Sequence, residues 1–310
     1  MAGHTHDGFD WTAWIDDLRR ADRLADKAYS SIAESLTARL AAGAVVLDIG
    51  CGAGGMSAKL AECLAGRGGT ELTLLDAEPE LLDAAAHIAD DAARRAGGAV
   101  SVRTRQVDLA DEATIGTLPH ADLVWASHVV HHLPDQQRAL RQLAGQLRPG
   151  GVLAIGEGGL ATRYLPWDVG VGRPGLADRL VTAENARFAT MRAELPDAVR
   201  LTVGWPEALR RAGLSRVETT SYLIEHPAPP DEHVKAAAIG WLERLAKSAD
   251  EYLAEDDRAA VRRLIDPDDT AYAGRRPDLF VLGVRTMHTG HAPESNTPPE
   301  ESANPSADRS

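Results

Sequence analysis

The chain has 310 residues, 44% hydrophobic and 25% charged, a balance that suits a folded globular protein with a sizeable core. A formal net charge of −13 argues against a nucleic-acid partner, because phosphates call for concentrated positive charge. No apolar run approaches the ~20 residues of a membrane span, the first residues lack the parts of a secretion signal, and the two cysteines, Cys51 and Cys63, make no disulfide framework, so a cytoplasmic location is expected.

Residues 10–41 carry apolar side chains at helical spacing (Trp14, Ile15, Leu18, Leu24, Tyr29) and are expected to be helical. Trp11 and Trp14 are expected to pack into the core. Strands are expected at 44–49, 71–76, 100–108, 121–127 and 151–157, with helices starting near Gly54, Pro79, the 110s and Asp135. "RPGG", residues 148–151, is expected to end the last of these helices. Such alternation predicts parallel strands joined by right-handed crossovers. Residues 160–203 interrupt the rhythm as a loop followed by a helix, and form an expected substrate-lid insert. A helix, a strand at 215–225, a helical insert at 231–264 and a final strand at 278–288 follow. The expected organisation is a helical segment over 1–41, one domain over 42–288 and a polar tail over 289–310. The tail has too little apolar surface to offset its chain entropy and is expected to be disordered.

The first strand ends in "VVLDIGCGAGG", where Asp48 precedes Gly50, Gly52 and Gly54. Glycine lets another molecule approach the backbone closely, and ligands of open parallel sheets lie beyond the carboxyl ends of the strands. A helix starting here offers unpaired N–H groups to an anionic group. The spacing is G-x-G-x-G, not the G-x-G-x-x-G of dinucleotide binders. Asp76 ends the second strand, where an acid can hold a ribose diol, and Asp108 ends the third, where one can accept from an adenine amine. Together these features describe a pocket for an adenosine with a polar, non-phosphate arm.

"VVLDIGCGAGG", "LTLLDAEPELLDAA", "VDLADEATIGTLPHADLVWASHVVHHLPD" and "LRPGGVLAIGE" occur in order over residues 41–158 and resemble the motifs of Rossmann-like, class I S-adenosylmethionine-dependent methyltransferases. The resemblance implies an α/β fold: a doubly wound, mostly parallel seven-stranded sheet with helices on both faces and an antiparallel last strand. It implies S-adenosylmethionine as cofactor. The backbone of Gly50, Gly52 and Gly54 would pass its methionine part, and Asp48 would organise the loop and the amino group. Asp76 would hold the ribose beside Ala77, Asp108 and the Leu109 N–H the adenine, and Ser127 would lie near the methionine arm. In this family a helical N-terminal segment often covers the cofactor.

"SHVVHHLPD" places His128, His131 and His132 after the fourth strand. His131 is the first candidate for a general base and His128 the second, beside the alternatives of a structural turn and of rate gained by proximity alone. The H-x-x-H-H run has no cysteine or carboxylate at ligand spacing, so no metal is expected. Glu157, Tyr164 and Trp167 are candidates to touch substrate. The function expected is methyl transfer to O, N or C of a small, partly apolar molecule, as in secondary metabolism. The alternatives are a non-methylating enzyme using the same cofactor, and a cofactor-sensing or partner-binding module.

Overall fold

The computed structural model describes residues 11–98, 100–109 and 112–294. In chain order the elements are α1 (Trp11–Leu24), α2 (Asp26–Thr37), β1 (Val45–Ile49), α3 (Gly55–Leu64), β2 (Thr70–Asp76), α4 (Pro79–Arg95), β3 (Val100–Gln106), α5 (Glu112–Ile115), β4 (Ala121–Ser127), α6 (Gln136–Gly145) and β5 (Leu147–Gly156). There follow α7 (Leu176–Glu194), α8 (Trp205–Arg211), β6 (Ser215–His226), α9 (Glu232–Ser248), α10 (Glu255–Ile265) and β7 (Val281–His291).

The seven strands form one sheet in the order β3-β2-β1-β4-β5-β7-β6. β1 to β5 pair in parallel, whereas β7 runs antiparallel to both β5 and β6. β1 is central and hides Val46 to Ile49 almost completely, because both its edges are paired and helices cover both faces. Val46, Leu72 and Leu123 join the core under α2, α3 and α4, while Leu47, Ile49 and Val124 join the core under α6 and α8. The chain leaves β1 toward β2 and later returns to β4 on the other side. That reversal opens a crevice at the carboxyl ends of β1 and β4.

The N-terminal segment is helical, as expected, in two helices that meet at Ala25. Two boundaries differ from the sequence-based expectation. "RPGG" lies within β5, whose pairing to β4 shifts register between Ala121 and Leu123. The last strand runs to His291, inside the expected tail, and the Ala292 N–H still donates to the Gly151 carbonyl at 2.9 Å. Thr289, Gly290 and His291 look polar, but neighbours on both edges satisfy their backbone groups. The remainder of the expected tail, 295–310, lies outside the described residues. Among the described residues no helix is long and apolar enough to cross a membrane.

Candidate active site

The glycine loop follows from the end of β1. Gly50 and Cys51 both donate their N–H to the Leu75 carbonyl, at 2.7 and 3.0 Å, which folds the loop over the end of β2. All three glycines hold a positive φ, yet they lack side chains for different reasons. A Cβ on Gly50 would lie 2.2 Å from Val129 Cγ2, in the turn after β4. One on Gly54 would lie 2.5 Å from the Ala85 Cα, so Gly54 makes room for α4 and is not on the ligand side. At Gly52 the nearest atom is Leu18 Cδ1, 3.8 Å away, and its bare backbone faces a cleft of about 690 Å³.

Asp48, Gly50, Gly52, Asp76, Ala77, Asp108, Leu109 and Ser127 line this cleft together; Gly54 does not. Asp48 is buried and accepts from the Ser57 hydroxyl at 2.5 Å. Burial pushes its carboxyl up to about 7, and the charges of Asp76 and Asp22 add to the effect. Asp76 accepts from the Gly52 N–H at 3.0 Å and the Glu78 N–H at 3.2 Å, tying β2 to the glycine loop. Burial raises its carboxyl as well. Each carboxylate keeps lone pairs for a ligand, since it offers about four acceptor sites.

The roof is α1. Trp14, Leu18, Ala21 and Asp22 line the cleft, and Trp14 is not in the core. The Trp11 side chain lies outside what is described. The Asp22 carboxylate sits over Gly55, where a Cβ would meet its Cγ at 2.3 Å, and it takes a hydrogen bond from the Gly55 N–H. The N-terminus of α3 is therefore partly filled by α1 and not left bare for an anionic ligand. Burial lifts the Asp22 carboxyl to about 6, against the opposing pull of Arg285.

The turn after β4 is held by Glu157, which directly follows β5 and is 1% exposed. One oxygen accepts from the N–H groups of Val129, Val130 and His131, at 3.2, 2.9 and 3.4 Å. The other lies 2.6 Å from His131 Nδ1. Both Glu157 oxygens are thus taken up within the protein, and Glu157 is not among the residues lining the cleft. The four contacts explain its burial, because a buried carboxylate needs partners. His128 (φ 56) lines the cleft, and its Nε2 receives a hydrogen bond from Arg285. Crowding around the ring, then the charge of Arg285, pushes His128 down to about 3. Its lone pair is thus engaged, which removes it as a free base. His131 stands behind His128 and His132, its side chain 21% exposed, with ring centroids 5.8 and 4.1 Å from theirs. Phe188 of α7 closes the other side at 5.5 Å.

His128, His131 and Glu157 do bring potential ligand atoms within 4.8 Å, so the carboxylate absent from the local sequence is supplied by β5. Both Glu157 oxygens are committed, and the guanidinium of Arg285 adjoins His128. These donors suit an imidazole–carboxylate pair better than a cation.

Two other expected substrate residues lie elsewhere. Tyr164 packs against Trp241 of α9, ring centroids 5.3 Å apart, and is not on the cleft wall. Trp167 is 70% exposed, in a turn closed by the Gly175 N–H on its carbonyl at 2.6 Å. The lining residues contributed by these later elements are instead Glu184 of α7, Arg244 of α9 and Arg285 of β7. Arg285 has a signal in the sequence: it is the one Lys, Arg, Asp or Glu in "VLGVRTMHTGH".

An open sheet with a glycine loop at its switch point and an acid at or near the carboxyl end of each of three successive strands defines a Rossmann-like nucleoside-binding domain. Residues 47–153 match the family model described as "Methyltransferase domain". The chain is 30% identical over 211 residues to "Methyltransferase GfsG" of Streptomyces halstedii, covering 66% of this chain and 63% of that protein. It is 37% identical over 124 residues to "Ubiquinone biosynthesis O-methyltransferase" of Xanthomonas axonopodis pv. citri, covering 39% of this chain and 46% of that one. It is 31% identical over 146 residues to "27-O-demethylrifamycin SV methyltransferase" of Amycolatopsis mediterranei, covering 46% and 48%. The chain thus spans between about half and two thirds of the length of these curated relatives. The domain belongs to the class I, S-adenosylmethionine-dependent methyltransferases.

Proposed function

We propose that the protein methylates a hydroxyl oxygen of a small, partly apolar molecule with S-adenosylmethionine, in a specialised or secondary pathway. The observation that carries this is the single cleft joining the Gly52 backbone and three strand-end acids to the histidine turn. Its ~690 Å³ fits the usual size of a pocket for a cofactor with a partner beside it. Oxygen is preferred because one relative is named an O-methyltransferase and another is named for a 27-O-demethyl compound.

In this reading Asp76 and Ala77 hold the ribose, Asp108 and Leu109 the adenine, and Asp48, Gly50, Gly52 and Ser127 the methionine arm. When bound, the cofactor supplies a methyl group already activated on a sulfonium. The chain's part is to align the acceptor and receive its proton. Glu157, fixed by three backbone N–H groups, accepts from His131 Nδ1–H and leaves Nε2 with a free lone pair. His131, which stands behind the cleft-lining His128 and His132, is the proposed general base and Glu157 its positioning residue. The insert containing α7 walls the cleft with Glu184, sets Phe188 against the His131 ring and acts as the substrate lid. The test is to incubate the protein with methyl-labelled cofactor and a panel of hydroxylated small molecules, and to look for labelled ethers by mass spectrometry. Unlabelled products, or none with any hydroxyl, amine or carbon acceptor, would reject the reading.

A further inference from the structure

We propose that Arg285, on the last strand, holds the carboxylate of the cofactor's methionine arm; this rests on the reading given above. Met287 pairs with Gly156, the last residue of β5. Arg285 lies two residues further and projects on the same face as Met287, past the carboxyl end of β5 but still paired with Tyr222 of β6. There it meets Tyr29 of α2, with its guanidinium carbon 5.9 Å from the ring centroid, and donates to His128. Tyr29, Asp22 and Asp48 line the same cleft as Arg285, and both acids and the arginine act electrostatically on that tyrosine, so the four groups lie together.

Charge then selects the ligand group. The inner cleft is acidic, with Asp22, Asp48 and Asp76 around the glycine loop. A sulfonium and an ammonium suit those acids, but a carboxylate does not. The α3 N-terminus, the other natural place for an anion, already has the Asp22 carboxylate over Gly55. Among the described residues lining the cleft, the guanidinium groups are those of Arg244 and Arg285. Arg244 lies on α9 beside the Asp17 carboxylate, at 3.6 Å. Arg285 Nε is buried with no hydrogen-bond partner among the described residues. A buried N–H of this kind is costly unless a ligand completes it, and an arginine edge matches a carboxylate in two parallel bonds.

The test is calorimetric binding, with no turnover required, of S-adenosylhomocysteine and of methylthioadenosine, which lacks the amino-acid arm. Both are measured on the parent, Arg285→Met and Arg285→Lys. The parent should also bind decarboxylated S-adenosylmethionine more weakly than S-adenosylmethionine, a comparison that needs no variant. Arg285→Met should weaken S-adenosylhomocysteine roughly 10- to 100-fold, leave methylthioadenosine within about twofold, and be partly rescued by Arg285→Lys. Equal losses for both ligands would make Arg285 a structural residue and overturn the proposal. So would unchanged nucleoside affinity with a raised KM for the acceptor, which would place a substrate anion there. A parent that binds none of these nucleosides would instead reject the methyltransferase reading itself.

Discussion

Glu157 Oε2 and His131 Nδ1 lie 2.6 Å apart, joining the end of β5 to the turn after β4. Because Glu157 also receives three backbone N–H groups, its position is fixed independently of the histidine. Two substitutions separate the roles. His131→Ala removes the proposed base and should lower turnover by about 10²–10⁴-fold, with affinity for S-adenosylhomocysteine unchanged. Glu157→Gln keeps an acceptor for the turn but offers an N–H to His131 Nδ1, forcing the proton to Nε2. It should lower turnover by at least about 10²-fold. Turnover of both variants within about threefold of the parent would show that proximity suffices.

Gly50 and Gly52 should respond differently to alanine. Both need a left-handed backbone, which costs a side chain roughly 1–2 kcal/mol. At Gly50 the added carbon also strikes Val129, 2.2 Å away, whereas at Gly52 it enters the cleft. Gly52→Ala should therefore fold with a modest loss of stability and bind the cofactor poorly. Gly50→Ala should lose markedly more stability. Denaturation midpoints together with nucleoside titration would expose the reverse order.

Stability should depend on pH through Asp48 and His128 with opposite signs. Asp48 is raised from 3.8 to about 7, so the folded state holds that proton more tightly than the unfolded chain. Its contribution is complete below the unfolded value and is lost as pH rises through about 7. His128 is lowered from 6.5 to about 3, so its contribution is complete above 6.5 and is lost as pH falls toward 3. Urea unfolding of Asp48→Asn against the parent should shift in the variant's favour between pH 4 and pH 8. A difference that stays constant across that range would contradict the buried, proton-retaining state of Asp48.

The insert helix α7 is fastened to α10 by Arg179, which grips Asp257 with Nε at 2.8 Å and Nη2 at 2.9 Å. Asp257 is 2% exposed, and its removal leaves the Arg179 guanidinium to the Pro174 and Arg173 carbonyls of its own insert. Asp257→Ala should cost roughly 1.5–3 kcal/mol, read as a lowered denaturation midpoint. It should also raise the acceptor KM more than the nucleoside Kd, because α7 carries Glu184 and Phe188. An unchanged midpoint would deny the pair any part in holding the insert.

What the sequence displayed clearly was local: β1 with its glycine loop, and Asp76 at the end of the next strand, announce themselves by residue type and spacing. The pairing of His131 with Glu157 was hidden because 26 residues separate them and only the β4–β5 register brings them together. The same holds for Asp22 over Gly55 and for Arg285 beside His128, which depend on how α1 and β7 close on the sheet. Tyr164 and Trp167 carried chemistry suited to a substrate, but residue type gives no direction. One turns to Trp241 and the other to solvent. Gly54 shows the converse, a motif glycine whose reason is the backbone of α4.

The central claim is methyl transfer to a hydroxyl, and the direct measurement uses S-adenosylmethionine carrying a trideuterated methyl group. After incubation with hydroxylated acceptors, high-resolution mass spectrometry follows product and nucleoside together. The account predicts an acceptor that gains one trideuterated methyl on oxygen, with one S-adenosylhomocysteine formed for each product. An acceptor that is transformed without the label, while the cofactor is recovered intact, would contradict it.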